Sequence, residues 1–239
     1  MTALQDRTVV LIGGGAGIGL EVARRVVAAG GSVVLGGRTA ATLDAAVAEL
    51  GSAATRRVVD TASPESVAAF FAGVPRVDHV FTTAATYRVG SLRELSETDA
   101  ASPFESKFWG QYRVVRHALP VLATDGSVVL MAGAASVRPP GPASAYVACN
   151  AAIEGLGRGL ATELAPIRVN VVSPGTIDGH LWSQRPDDVR EAAFAQYRRD
   201  TLLHRVGTEA EVADAVLYLF TSGYTTGSVL YPDGGYALR

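Results

Sequence analysis

Between the β-branched run Thr8–Ile12 and an amphipathic stretch that starts at Ile18, glycines stand at Gly13, Gly15, Gly17 and Gly19. The run before them has the composition of a strand buried on both faces. After them Ile18, Val22 and Val26, with Ala23 and Val27, recur at helical spacing, and Gly30 occupies the position of a helix C-cap. Strand, glycine turn and helix in that order let a backbone approach a pyrophosphate closely. The bare N–H groups and positive dipole end of the helix then face the phosphates. A tight turn without a ligand uses the same residues, so the glycines alone do not settle their purpose.

A second candidate follows the next apolar run, Ser32–Gly36, in Gly37-Arg38. An acidic residue here would hydrogen-bond a ribose 2′-hydroxyl. Glycine followed by arginine instead leaves room for a 2′-phosphate and supplies its partner; a solvated turn arginine is the plainer alternative. Other reactive residue types are sparse. Cys149 is the one cysteine, which excludes an intramolecular disulfide and a cysteine-based metal cluster. His79, His117, His180 and His204 show no ligand-type spacing, and no metal is expected.

The elements that must position these residues alternate along the chain. Strands are predicted at Thr55–Val59, Val77–Thr82, Ser127–Ala132, Ile167–Val172 and Ser228–Tyr231 besides the two already named. Helices are predicted over Ala40–Leu50, ended by Gly51, and from Pro64 to about Ala72. Further helices are predicted over Ser144–Leu164 and Glu209–Thr221, and Glu94–Ala123 is helix-compatible, with Pro103 dividing a short helix from a long one. This alternation implies parallel strands with right-handed crossovers, an α/β doubly wound sheet of about seven strands with helices on both faces. In such sheets ligands bind at the carboxyl ends of the strands.

The 239 residues, 48% hydrophobic and 18% charged, suit a single domain over 1–239. A net charge of -2 gives no reason to expect nucleic acid or an anionic membrane as partner. No apolar run approaches the ~20 residues of a membrane span, and the N-terminal apolar segment reads as structure rather than leader. A cytoplasmic location is the expectation.

Four segments in order resemble the short-chain dehydrogenase/reductase family: Gly13-x-x-x-Gly17-x-Gly19, Tyr146 to Asn150, Arg168 to Gly175, and Asp233-Gly234-Gly235. The similarity spans the whole chain. It implies a Rossmann-type fold, a nicotinamide cofactor, a small carbonyl or alcohol substrate, a variable substrate lid at about 179–205 carrying Trp182 and Tyr197, and a homotetramer built on the helices of Lys107 and Tyr146. By the same resemblance the cofactor is held by Gly13, Gly15, Ala16, Gly17, Ile18, Gly19, Arg38, Asp60, Thr61, Ala84, Tyr146, Asn150, Pro174, Gly175 and Ile177. Asp60 reads equally as a helix-initiating turn residue.

The catalytic set departs from the family. A tyrosine moves the proton, a lysine four residues later lowers its pKa, a serine thirteen residues earlier binds the substrate oxygen, and a helix asparagine anchors a relay water. Here the tyrosine is Tyr146, but the lysine, serine and asparagine positions hold Asn150, Gly133 and Lys107. Thr82-Thr83-Ala84-Ala85 replaces Asn-Asn-Ala-Gly, and Gly179 a frequent threonine. Lysine and asparagine look exchanged. A unit charge at ~4 Å and an effective dielectric of ~20 favours phenolate by about 4 kcal/mol, roughly 3 pKa units, and Asn150 carries no such charge. Lys107 is therefore the expected electrostatic partner of Tyr146, Asn150 the expected ribose ligand, and Ser136 the candidate for the missing serine. A surface Lys107 beside a decayed site is the alternative. Tyr87, Arg88 and Arg138 read as rim residues.

The expected function is an NADP(H)-dependent oxidoreductase of a carbonyl or secondary alcohol, NAD(H) being the less favoured cofactor and Tyr146 the general acid/base. The alternatives are a non-redox lyase or isomerase and a nucleotide-binding sensor or scaffold.

Overall fold

The computed structural model describes residues 4–239. Seven parallel strands form one sheet: β1 (Thr8–Ile12), β2 (Ser32–Gly37), β3 (Ala54–Val58), β4 (Val77–Thr82), β5 (Leu122–Met131), β6 (Arg168–Val172) and β9 (Val229–Leu230), in the order β3-β2-β1-β4-β5-β6-β9. A two-stranded parallel pair, β7 (Ile177–Asp178) with β8 (Gly207–Thr208), lies outside it. The helices are α1 (Gly17–Ala28), α2 (Ala40–Leu50), α3 (Pro64–Ala72), α4 (Glu97–Pro103), α5 (Trp109–Ala118), α6 (Ser144–Glu163), α7 (His180–Ser183), α8 (Asp187–Asp200) and α9 (Glu209–Thr221).

Side chains alternate across the sheet with the period of two that a strand imposes. Val10, Ile12, Val80, Val128 and Leu130 face one core with residues of α3, α5 and α6. Val9, Leu11, Phe81 and Val129 face the other with residues of α1, α2 and α9. Burial on both faces explains why the strands read as unbroken apolar runs. Gly30, at φ +83, follows α1 and donates to Val27 O while Gly31 donates to Val26 O, a Schellman termination that glycine favours.

The long helix differs from the sequence reading at its C-terminal end. The helix ends at Ala118 rather than reaching Ala123, because Leu122 already pairs with Val77 in β5. A register shift then carries the strand past Asp125 and Gly126 to the pairing of His79 with Ser127. Pro103 is the last residue of the short helix α4, as expected, but the chain does not break there. It takes helical angles, φ −62 and ψ −39, and the chain continues through a π-helical segment, Phe104–Phe108, into α5. The Asp99 carbonyl, which a residue other than proline at 103 would have satisfied, accepts the Ser102 hydroxyl at 2.6 Å. The wider π turn carries Lys107 into the protein, where it is buried.

Candidate active site

The strand order reverses between β1 and β4, and the first site residues stand at the carboxyl ends of those two strands. Gly13 has φ +90, and a Cβ there would fall 2.2 Å from Thr83 Oγ1; side chains are excluded on both counts. Gly17 has φ +59 and opens α1, while a Cβ on Gly19 would sit 2.2 Å from Gly13 O. The turn is thus wound tightly enough to bring backbone N–H groups to the start of a helix that has no acidic residue in its first turn. A cavity of about 470 Å³ opens in front of it. Gly13, Gly15, Ala16, Arg38, Asp60, Thr61 and Ala84 line this cavity, joined by Thr39, Thr42 and His180.

Arg38 is exposed at the end of β2 and donates to Thr86 Oγ1 at 2.8 Å. Asp60 accepts from the Ala62 N–H at 3.0 Å, so the turn role read for it and a place on the cavity wall coexist. Ile18 belongs to the first turn of α1, and Ile177 packs against the core. Pro174 O accepts from Ala134 N at 2.8 Å, and a Cβ on Gly175 would come within 3.0 Å of Asp233 Cα. The Asp233-Gly234-Gly235 signature is therefore the surface on which this turn rests.

On the opposite side, α6 presents Tyr146 and Asn150 one helical turn apart, and the π segment presents Lys107 to both. Lys107 Nζ donates to Asn150 Oδ1 at 2.6 Å and to Ala132 O at 2.8 Å. It also lies 5.5 Å from the centre of the Tyr146 ring. Burial opposes ionisation of the Tyr146 phenol, but the Lys107 charge, with help from Tyr87 and Asn150, outweighs it and holds the phenol below the ordinary tyrosine value.

Two of the expected site residues, Asn150 and Ser136, have protein partners. Asn150 is fully buried, with Oδ1 held by Lys107 and Nδ2 donating to Tyr146 O at 2.8 Å. Both ends of its amide therefore meet protein groups, which sets Asn150 between Lys107 and the Tyr146 backbone. The Ser136 hydroxyl donates to Glu154 Oε1 at 2.5 Å, an oxygen that also accepts from Ser173 at 2.6 Å. Ser136 thus ties the loop after β5 to α6. Glu154 joins the site by helical spacing, since Tyr146, Asn150 and Glu154 fall at successive turns and so on one face.

Three rim residues also sort differently. Arg88 pairs with Asp99 at 3.1 Å on the surface. Arg138 donates to Asp200 O and Tyr236 O and lies 4.3 Å from the Tyr236 ring centre, fastening the end of α8 to the C-terminal residues. Tyr87 stacks on Tyr146, with ring centres 5.0 Å apart and planes at 30°. In the segment 179–205, Trp182 packs edge-on against Phe194 and Tyr197 packs on Tyr236. His79 is buried against Phe220 and hydrogen-bonds Ser127 at 2.8 Å.

A family model described as enoyl-(acyl carrier protein) reductase matches residues 13–237. The chain belongs to the short-chain dehydrogenase/reductase family. Among its relatives, this short-chain dehydrogenase/reductase is 31% identical over 250 residues to a galactitol 2-dehydrogenase (L-tagatose-forming) of Cereibacter sphaeroides, covering 98% of this chain and 96% of the other. A structure of a glucose/ribitol dehydrogenase of the family from Brucella melitensis superposes with a TM-score of 0.91 at 28% identity, covering 99% of each chain. A small-chain dehydrogenase solved in complex with NADPH gives 0.83 at 28% identity, covering 98% of this chain and 100% of that one. Full-length agreement of this kind makes the chain an oxidoreductase by family, with the seven-stranded Rossmann-like sheet its relatives share. No helix among the described residues is long and apolar enough to cross a membrane.

Proposed function

We propose that this short-chain dehydrogenase/reductase is an NADP(H)-dependent enzyme that interconverts a carbonyl compound and a secondary alcohol, with Tyr146 as general acid/base and Lys107 as its electrostatic partner. The observation that carries the reading is Lys107 Nζ, 2.6 Å from Asn150 Oδ1 and 5.5 Å from the Tyr146 ring centre. A positive charge thereby stands beside the phenol although the lysine comes from a different element than the family's.

The cavity residues fit a dinucleotide. Two positive-φ glycines open a helix N-terminus toward a hollow of about 470 Å³, as an anionic diphosphate requires. NADP(H) is favoured over NAD(H) because β2 runs into Gly37-Arg38-Thr39 with no carboxylate, and Arg38 and Thr42 line the hollow. The NADPH-bound relative supports the same choice. When bound, the nicotinamide supplies or accepts the hydride. Tyr146 gives its phenolic proton to the substrate oxygen in reduction and takes it back in oxidation. Lys107 stabilises the phenolate, and Asn150 fixes the ammonium by accepting from it.

Assembly as a homotetramer through the helices of Lys107 and Tyr146 belongs to the same proposal. Gly155 and Gly159 on α6 face open space, and Trp109 is exposed at the start of α5, which leaves these helices room for close packing against copies. The vacant serine position at Gly133 favours one second reading, a non-redox enzyme rebuilt on a retained nucleotide site.

The test is a binding titration with NADPH and NADH in parallel, followed by NADPH oxidation against a panel of ketones and aldehydes. Tighter NADPH binding with turnover of a carbonyl is expected. Failure of both nucleotides to bind at millimolar concentration would overturn the redox reading.

A further inference from the structure

Tyr87 lies in the connection after β4, five residues beyond the strand, and its placement is held on both sides. The N–H of Thr86 donates to Ser106 Oγ at 3.3 Å and the N–H of Arg88 to Ser102 Oγ at 3.0 Å. Both hydroxyls belong to the helical stretch that carries Lys107, and each also donates to a carbonyl of that stretch, Ser102 to Asp99 O and Ser106 to Ser102 O. The loop is therefore pinned to the turn that delivers the catalytic charge. Its product is a stacked phenol pair, Tyr87 on Tyr146 at 5.0 Å, with Lys107 Nζ 5.9 Å from one ring centre and 5.5 Å from the other. One ammonium thus stands near both rings.

The same oxygen of Tyr146 has lost a neighbour. A Cβ at Gly133 would sit 3.6 Å from Tyr146 Oη and 3.3 Å from Asn150 Oδ1, so the absent serine leaves the phenol without a hydroxyl on that side, where the Asn150 amide now stands close. Substrate oxygens in carbonyl reduction develop negative charge, and a second donor aimed at that charge contributes substantially to rate.

We infer that Tyr87 is a further catalytic residue, a neutral phenol whose single O–H donates to the substrate oxygen while Tyr146 holds its proton and to the Tyr146 oxygen once that is phenolate, in place of the hydroxyl missing at Gly133. This rests on the oxidoreductase reading above. Tyr87 transfers no proton; Tyr146 does. The ionisation order suits the division of labour. Burial and the neighbouring Tyr146 push Tyr87 well above the ordinary tyrosine value, so it remains a donor when Tyr146 is phenolate.

The test uses Tyr87→Phe, which keeps the stacked ring and removes only the hydroxyl, in two measurements. The first is an ultraviolet tyrosinate titration of the protein without nucleotide, with Tyr146→Phe identifying the Tyr146 transition. The second is the pH dependence of kcat and KM in NADPH-driven carbonyl reduction. The expected result is a Tyr146 transition moved to higher pH and a kcat lowered about tenfold to a hundredfold with KM little changed. Tyr87→Phe combined with Gly133→Ser should recover most of the lost kcat, since a hydroxyl returns beside the phenol. An unmoved transition together with unchanged kcat would overturn the inference. So would a lower kcat with neither a shifted transition nor rescue by serine, which would make Tyr87 a packing residue. If the wild-type protein reduces no carbonyl, the redox reading fails and the substrate contact falls with it, while the titration still decides whether the two phenols are coupled.

Discussion

Lys107 Nζ lies 2.6 Å from Asn150 Oδ1, so the two side chains that stand in the opposite order in the family pattern meet across the gap between the π segment and α6. Polarity at this point depends on which side chains arrive, not on which element delivers them. Lys107→Met is expected to lower kcat at neutral pH by about 100-fold to 1,000-fold and to move the Tyr146 ionisation upward, by up to roughly 3 pH units. Restoring the family order in the double variant Lys107→Asn with Asn150→Lys should recover more activity than either single change, as read by pH–rate profiles of all four proteins. Unchanged turnover and pH profile in Lys107→Met would show that the lysine is not the partner of Tyr146.

Arg38 is the one Lys or Arg among the described residues that line the cavity, and its Nη2 already rests on Thr86 Oγ1 at 2.8 Å. A charge-assisted bond to phosphate is worth about 1.5–3 kcal/mol. Arg38→Ala should therefore weaken NADPH binding about 10-fold to 100-fold and leave NADH binding nearly unchanged, by fluorescence titration. Equal loss for both nucleotides would place Arg38 outside the 2′-phosphate contact.

Glu209 sits where an anion is already favoured. Its Oε1 accepts the His180 N–H at 2.7 Å and lies 3.2 Å from where a Cβ on Gly17 would be. The absence of a side chain at Gly179 makes the room, since a Cβ there would be crowded within 2.2 Å of the same oxygen. A carboxylate beside the first glycine of α1 opposes an incoming diphosphate by like-charge repulsion. Glu209→Gln should tighten NADPH binding a few-fold at low ionic strength, the gain shrinking as salt screens it. A gain independent of salt, or none, would remove Glu209 from the phosphate environment.

His79 makes stability depend on pH. Burial lowers its pKa from 6.5 to about 4, against the weaker pull of Asp78. The folded protein thus binds fewer protons than the unfolded chain between those values. The neutral imidazole stabilises fully above about pH 6.5, and the contribution is lost as pH falls toward 4. Urea unfolding should show about 2 kcal/mol less stability at pH 5 than at pH 7 from this group, and His79→Gln should flatten that part of the profile. An identical pH slope in the variant would assign the acid sensitivity elsewhere.

Much of the architecture was legible along the chain because its causes are local. Strands buried on both faces must be apolar without interruption, and α2 and α3 have the bounds that Gly51 and Pro64 announce. The glycine spacing before α1 likewise reflects positive φ at Gly13 and Gly17, a demand that no other residue meets as well. What the helix between Glu97 and Ala118 does was not legible. A proline at 103 signals a break, yet Ser102 satisfies the freed carbonyl and the π turn follows, so the signal at Pro103 was answered by a neighbour one residue away.

Sequence by itself determined the doubly wound fold, the glycine turn and the presence of Tyr146, since each follows from residue type and short-range spacing. Tertiary structure alone decided who surrounds that tyrosine. Lys107 and Asn150 are 43 positions apart and touch only because the sheet order sets the π segment against α6. It also withdrew Ser136 to Glu154, buried Asn150 and laid Tyr87 on Tyr146. Side-chain partnership in a parallel α/β fold is made between elements distant in the chain, and spacing along one element carries no record of it.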